Sequence, residues 1–221
     1  VHDGGYSTFR ANITTLLREE NILTVEVDNR VNDHVYPQKA DFTFYGGIYR
    51  DVSLLVVHKD HIALGHYGDT GVKVTPTLCK DHTADIRVET RLEGTVRVTL
   101  NDAEGNTVAA AEGKDVTMTL AHPHLWDGVK DPYLYTCVVE LEQGGEVVDT
   151  VSTRVGVRSF RVDPKKGFFL NGRSYPLHGV SRHQDRKGLG NAISREMHDE
   201  DMTLIRELGA NTIRLAHYQH D

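Results

Sequence analysis

The 221 residues carry 32 acidic and 25 basic side chains, a formal net charge of −7 with histidine neutral. That balance argues against a partner such as nucleic acid, whose phosphate backbone needs clustered Lys and Arg. No run of 18 apolar residues is present to cross a membrane as a helix, and the length allows one to three domains.

From residue 1 to about 155 the pattern is that of strands. ILTVEVDN (22–29), DVSLLVV (51–57), VKVTPTLC (72–79), ADIRVETRL (84–92), VRVTL (96–100), DVTMTL (115–120) and LYTCVVELE (134–142) are rich in β-branched residues and often alternate. Glu104-Gly105-Asn106 and Gln143-Gly144-Gly145 read as hairpin loops. The polar, glycine-bearing stretch HKDHIALGHYGDTG (58–71) reads as a linker. It separates a short leading part, taken as the trailing half of a larger sandwich, from about 90 residues that suit one seven-stranded sandwich.

Cys79 and Cys137 both fall in predicted strands. An immunoglobulin disulfide would be followed closely by a Trp after its first Cys, but the single Trp is Trp126. Two reduced, buried thiols and a reducing, cytoplasmic compartment are therefore expected. The first residue is Val1 and no signal-type segment is visible, which leaves open an export signal removed earlier.

After about 157 the period changes. Phe168–Arg173 reads as a tight hairpin around Asn171-Gly172, and Tyr175–Val180 as a strand. A glycine-bearing loop (188–191) leads to Ser194, a candidate N-cap for a helix of about 14 residues ending at Gly209. Met197, Leu204, Ile205 and Leu208 are placed on its inner face, with Asp199, Glu200 and Arg206 outward. A closing strand, Thr212–Ala216, completes one parallel βαβ unit, too short to close a (β/α)₈ barrel of about 250 residues.

In such barrels the working groups sit at the carboxyl ends of the strands. The two strand ends here are Ser181-Arg182-His183-Gln184-Asp185 and His217-Tyr218-Gln219-His220-Asp221. Parallel neighbours lie about 4.8 Å apart, so His183 and His217 are expected on one rim. Arg214 is expected one layer inside, needing an anionic partner. Ordinary solvated or capping rim residues are the competing reading. A metal site on the His217-x-x-His220 spacing is a third, but it lacks the Glu of the zinc protease motif. His58, His61, His122 and His124 read as loop residues.

FYGGIYRDVSLL (44–55), HPHLWDGVKDPYLYTCVVEL (122–141), VGVRSFRVD (155–163), FLNGRSYPLHGVSRHQD (169–185) and NTIRLAHYQHD (211–221) together resemble glycoside hydrolase family 2, and within it the bacterial β-galactosidases. The resemblance runs along essentially the whole chain in the right order. It implies a mainly β chain: residues 1–58 as the C-terminal part of a jelly-roll sugar-binding domain, 59–156 as an immunoglobulin-like sandwich, and 157–221 as the start of a TIM-barrel catalytic domain. It also implies an interior fragment that stops after the second barrel strand.

The activity implied is retaining hydrolysis of terminal β-D-galactosides, with β-glucuronidase as the alternative within the family. A non-catalytic tandem sandwich that binds glycans or protein is the alternative of another class, and one Trp and 7% aromatic residues support it weakly. The family's two catalytic glutamates come from later strands, one after an Asn, and no Asn-Glu dipeptide occurs here. The fragment itself is expected to be inactive. Carried over residue by residue, the likeness gives His183 and His217 as sugar contacts and Arg214 as the neighbour of the nucleophile. Asp33 becomes a substrate-placing residue and candidate ligand of a monovalent cation. No cofactor is required, Na⁺ or Mg²⁺ are candidate ions of the full-length enzyme, and a homo-oligomer is a candidate assembly. Where the family commonly has His-Tyr-Pro-Asn, this chain has His217-Tyr218-Gln219-His220, which leaves His220 without an assigned role.

Overall fold

The computed structural model describes residues 1–35, 40–65, 68–79, 81–92 and 94–220. The chain is mainly β and divides into two compact units, Val56–Leu177 on the one hand and Val1–Leu55 with His178–Asp221 on the other.

The first of these is built on a seven-stranded sandwich. One sheet is β1 (Val72–Leu78), β2 (Thr83–Thr90) and β5 (Asp115–Ala121), in the order β1-β2-β5. The other contains β3 (Val96–Asn101), β4 (Thr107–Glu112), β6 (Tyr135–Gln143) and β7 (Glu146–Val155), in the order β4-β3-β6-β7. All pairings are antiparallel. Alternation with period two decides which side chains go inside. Tyr135, Cys137, Val139 and Leu141 of β6 are buried, while the residues between them are only half-buried. Val96, Val98 and Leu100 of β3 lie opposite Leu141, Val139 and Cys137. From the other sheet Ala84, Ile86, Val88, Met118 and Leu120 complete one core. Each Val, Leu, Ile or Met among them contributes about 1.5–3 kcal/mol by leaving water.

The expected hairpins are present. β6 and β7 meet at Gly144-Gly145, both at positive φ (61° and 87°), the mirror-image turn that matches strand twist. Beyond the sandwich, β8 (Phe160–Asp163), β9 (Gly167–Leu170) and β10 (Arg173–Ser174) form a small meander. Its tight turn is Asn171-Gly172, again both at positive φ. The Asn171 side chain accepts from Ser159 N–H at 3.0 Å and donates to the Trp126 carbonyl at 3.0 Å. Trp126 is half-buried, with the Arg158 guanidinium 5.0 Å from its ring centroid. Cys79 and Cys137 are both free thiols. Cys137 is buried, whereas Cys79 is only partly so.

In the second unit β11 (Gly179–Arg182) pairs in parallel with β12 (Thr212–Leu215), and α1 (Arg195–Glu207) connects them. Ser194 occupies the N-cap position but makes no side-chain cap bond. The helix stops at Gly209 (φ 76°), where Gly209 N–H donates to Arg206 and Ala210 N–H to Ile205. That is the paired-carbonyl stop that glycine permits. Asn211 then bonds His178 reciprocally, N–H to carbonyl and side-chain oxygen to N–H, each at 2.8 Å.

Three expectations are corrected. Residues 22–29 and 51–57 form no strand, and Ile22, Leu23, Val25, Val27, Val52 and Leu54 are exposed. A strand persists only where a neighbour takes up its hydrogen bonds and one face is covered, and among the described residues no strand pairs with either segment. Leu204 and Leu208, expected on the inner face of α1, are exposed, while Met197, Asp201 and Ile205 are half-buried. Arg214, expected one layer inside, is also exposed. Arg214 and Leu215 are the exposed positions of β12.

Candidate functional site

The parallel pairing sets the site. Gly179 lies opposite Thr212 and Arg182 opposite Leu215. The strands approach closely at their start, where a Cβ on Gly179 would come within 2.6 Å of the Thr212 carbonyl oxygen. Both strands therefore end at one level; His183 follows β11 directly, and His217 follows β12 after Ala216. His183 and His217 meet edge to face, with ring centroids 5.3 Å apart and planes inclined by 70°. Phe42 lies 5.2 Å from His183 and 5.5 Å from His217, centroid to centroid. Tyr218 closes the cluster, 6.0 Å from His183, and Tyr6 stacks on it at 4.6 Å.

His183 Nδ1 is shielded from solvent and has no hydrogen-bond partner among the described residues. A shielded imidazole nitrogen without a partner costs free energy unless a ligand supplies one. His217 Nδ1 lies 3.3 Å from Arg214 Nη2. Because a guanidinium only donates, that nitrogen accepts, and the His217 N–H sits on Nε2. Tyr218 is buried, and its hydroxyl accepts from Gln184 N–H at 3.1 Å. Burial raises its pKa. Arg50 reaches the Gln219 carbonyl at 2.5 Å and also bonds the Tyr6 carbonyl.

The buried arginine of this unit is Arg182, 7% exposed. Its Nε and Nη2 donate to Asp201 Oδ2 at 2.9 and 2.6 Å. Nη2 lies 3.1 Å from His198 Nδ1, and Nη1 lies 3.3 Å from His220 Nδ1. Arg186 adds bonds to Glu200 and Asp201. Burial would raise the Asp201 pKa, but hydrogen bonds and charge from Arg182 and Arg186 outweigh it and the net shift is downward. His220 is shifted downward, chiefly by burial, with Arg182 and Arg50 adding to it and the hydrogen bond to the Ala216 carbonyl opposing it.

Of the four residues singled out by sequence, three come together: His183, His217 and Arg214. Asp33 lies in an exposed turn, and no hydrogen bond or ion pair joins it to either histidine among the described residues. Asp221 and residues 36–39 of the Asp33 loop lie outside the described residues. No group of three His, Cys, Asp or Glu suited to a metal occurs among those described, so the His217-x-x-His220 pair has no third ligand here. Sequence reasoning missed Phe42, Arg182 and Asp201. The signal for Asp201 was its place between Met197 and Ile205, a carboxylate within an apolar stripe of spacing four.

A sandwich followed by a parallel strand–helix–strand unit, with two histidines at the strand ends, suits a glycoside hydrolase of the barrel class. The model for "Glycosyl hydrolases family 2" matches residues 61–158, and that for "Glycosyl hydrolases family 2, TIM barrel domain" matches residues 161–221. The chain belongs to glycosyl hydrolase family 2. It is 37% identical to a β-glucuronidase of Bacteroides fragilis, over 98% of this chain and 34% of that protein. It is 34% identical to a β-galactosidase of Bacteroides ovatus, over 98% of this chain and 27% of that one. Among solved structures it is similar to an FMN-binding β-glucuronidase from Facaelibacterium prausnitzii L2-6. That likeness has a TM-score of 0.90 and 40% identity, covering all of this chain and 36% of that one. The chain thus spans about a quarter to a third of the length of these relatives.

Proposed function

We propose that the full-length protein is a retaining β-glycosidase and that its substrates are terminal β-glucuronides. The observation that carries the glycosidase reading is the pair of imidazoles at one rim, one with a shielded nitrogen awaiting a partner. His183 and His217 donate hydrogen bonds to sugar hydroxyls, bonds that strengthen as the ring becomes oxocarbenium-like. Arg214, beside His217 and unmatched by a carboxylate among the described residues, supplies positive charge to the nucleophile of the complete barrel. Asp33 serves substrate placement and a monovalent cation, as the family likeness implies. Proton transfer and nucleophilic attack belong to two carboxylates about 5–5.5 Å apart that these 221 residues do not supply.

The glucuronide preference is supported by the names of the relatives at 37% and 40% identity. A β-galactosidase is the second reading, favoured by the motifs of the strand ends and by the 34% identical relative. The two are separated by kcat/KM of the full-length enzyme on 4-nitrophenyl β-glucuronide and β-galactoside. A site that pairs the uronate carboxylate should favour the glucuronide by at least about 100-fold. A preference for the galactoside would replace this reading with the second. For Asp33→Ala we expect a raised KM and an altered sodium dependence, with kcat little changed.

A further inference from the structure

His220 has no part in the roles above, and Arg182 is buried at the foot of the loop that carries it. Three contacts connect these residues through Ala216. The Arg182 carbonyl accepts from Ala216 N–H at 3.1 Å. The Arg182 guanidinium donates to His220 Nδ1 at 3.3 Å. His220 Nε2 lies 3.3 Å from the Ala216 carbonyl oxygen. We propose that Arg182 and His220 are positioning residues: together they clamp both polar groups of Ala216 and so fix the direction in which His217 leaves the end of β12.

The hydrogen-bond chemistry allows one arrangement. A guanidinium has no acceptor, so His220 Nδ1 must accept and its single proton sits on Nε2, aimed at the Ala216 carbonyl. A protonated His220 would turn an N–H against Arg182 and break the ring of contacts. Burial disfavours that state most, and the nearby Arg182 and Arg50 guanidinium groups add to it, against the opposing pull of the Ala216 carbonyl. Arg182 cannot drift, because Asp201 holds it through Nε and Nη2 and His198 Nδ1 takes a further N–H. Tyr218 stacks on His220 at 5.2 Å and limits rotation of the ring. Helix α1 thus acts on His217 through two side chains and one peptide unit.

The inference rests on the glycosidase reading only where it gives His217 a sugar contact. The test uses the full-length enzyme and the variants His220→Ala, His220→Gln, His220→Asn and Arg182→Gln. Glutamine places an amide nitrogen near the position of Nε2, and asparagine does not. His220→Ala should lower kcat by about 10- to 100-fold, the effect of a small misplacement, with KM changed less than about threefold. His220→Gln should recover most of that loss and His220→Asn should not. A side chain that merely fills space would show no such preference. Wild-type kcat in His220→Ala, or no advantage of Gln over Asn, would overturn the proposal. Independently of turnover, Arg182→Gln and His220→Ala should be non-additive in urea unfolding, and additivity would also overturn it. Should the wild type cleave neither glycoside, the functional reading fails while the unfolding cycle still judges the clamp.

Discussion

The imidazoles of His183 and His217 meet edge to face at 5.3 Å although 33 residues separate them along the chain. What joins them is the level ending of two parallel strands, and that makes them testable as a pair. In the full-length enzyme His183→Ala and His217→Ala should each lower kcat by about 10²-fold, near 2.7 kcal/mol, the usual loss for a preorganised donor. Melting temperatures should move little. Rim residues that only cap a loop would show the opposite, lower melting and unchanged kcat.

The 221 residues on their own should hydrolyse neither a β-glucuronide nor a β-galactoside. They contain no Asn-Glu dipeptide, the pattern that the family likeness attaches to one of the two catalytic glutamates. Turnover by the purified chain that scales with its concentration and survives repeated purification would place the catalytic groups within it.

Asp201 faces a nearly buried guanidinium, so removing its charge should be felt. Asp201→Asn keeps the shape and an acceptor, and should destabilise by about 1–3 kcal/mol at neutral pH. The folded pKa of Asp201 lies below its ordinary value of 3.8. Its contribution is therefore complete above that value and is lost as pH falls through the folded pKa. Urea midpoints for wild type and variant should differ at pH 6 and converge towards pH 3. A constant difference would mean that the carboxylate charge plays no part.

The two thiols should behave differently. Burial in the sandwich core raises the Cys137 pKa from 9.0 to about 11, so the native thiolate is scarce at pH 8. A disulfide reagent such as dithionitrobenzoate should titrate Cys79 first and Cys137 only on unfolding. Because the folded pKa is raised, the core's stability should fall as pH climbs from 9.0 towards about 11. Replacing Cys137 by Val should remove that part of the alkaline loss.

The sandwich was legible because its strands alternate cleanly. LYTCVVELE announces β6, and Gly144-Gly145 announces its turn. β4 and β7 were harder to see: TVAAAE has small side chains, and β7 is mostly half-exposed, so neither shows a strong period. The leading segments misled for the opposite reason. Their β-branched residues carry strand propensity, but propensity expresses itself only against a partner strand. At the site, parallel ends brought the two histidines together as their positions implied. Arg214 was expected inside, and the buried arginine proved to be Arg182, to which no role had been assigned. Arg182 lies beneath α1 and Arg214 on the open face, a difference of sides that a four-residue strand does not reveal.

The bare stretches at 22–27 and 52–55 bear on how molecules of this chain meet one another. Valine- and leucine-rich segments outside any sheet are ready templates for pairing between chains. What opposes this is the net charge of −7, a long-range repulsion that works only while it is unscreened. At about 0.15 M salt the Debye length is about 8 Å, so that repulsion is largely screened. The isolated chain should therefore stay dispersed in dilute, low-salt buffer and associate as salt is raised, which light scattering across a salt series would check.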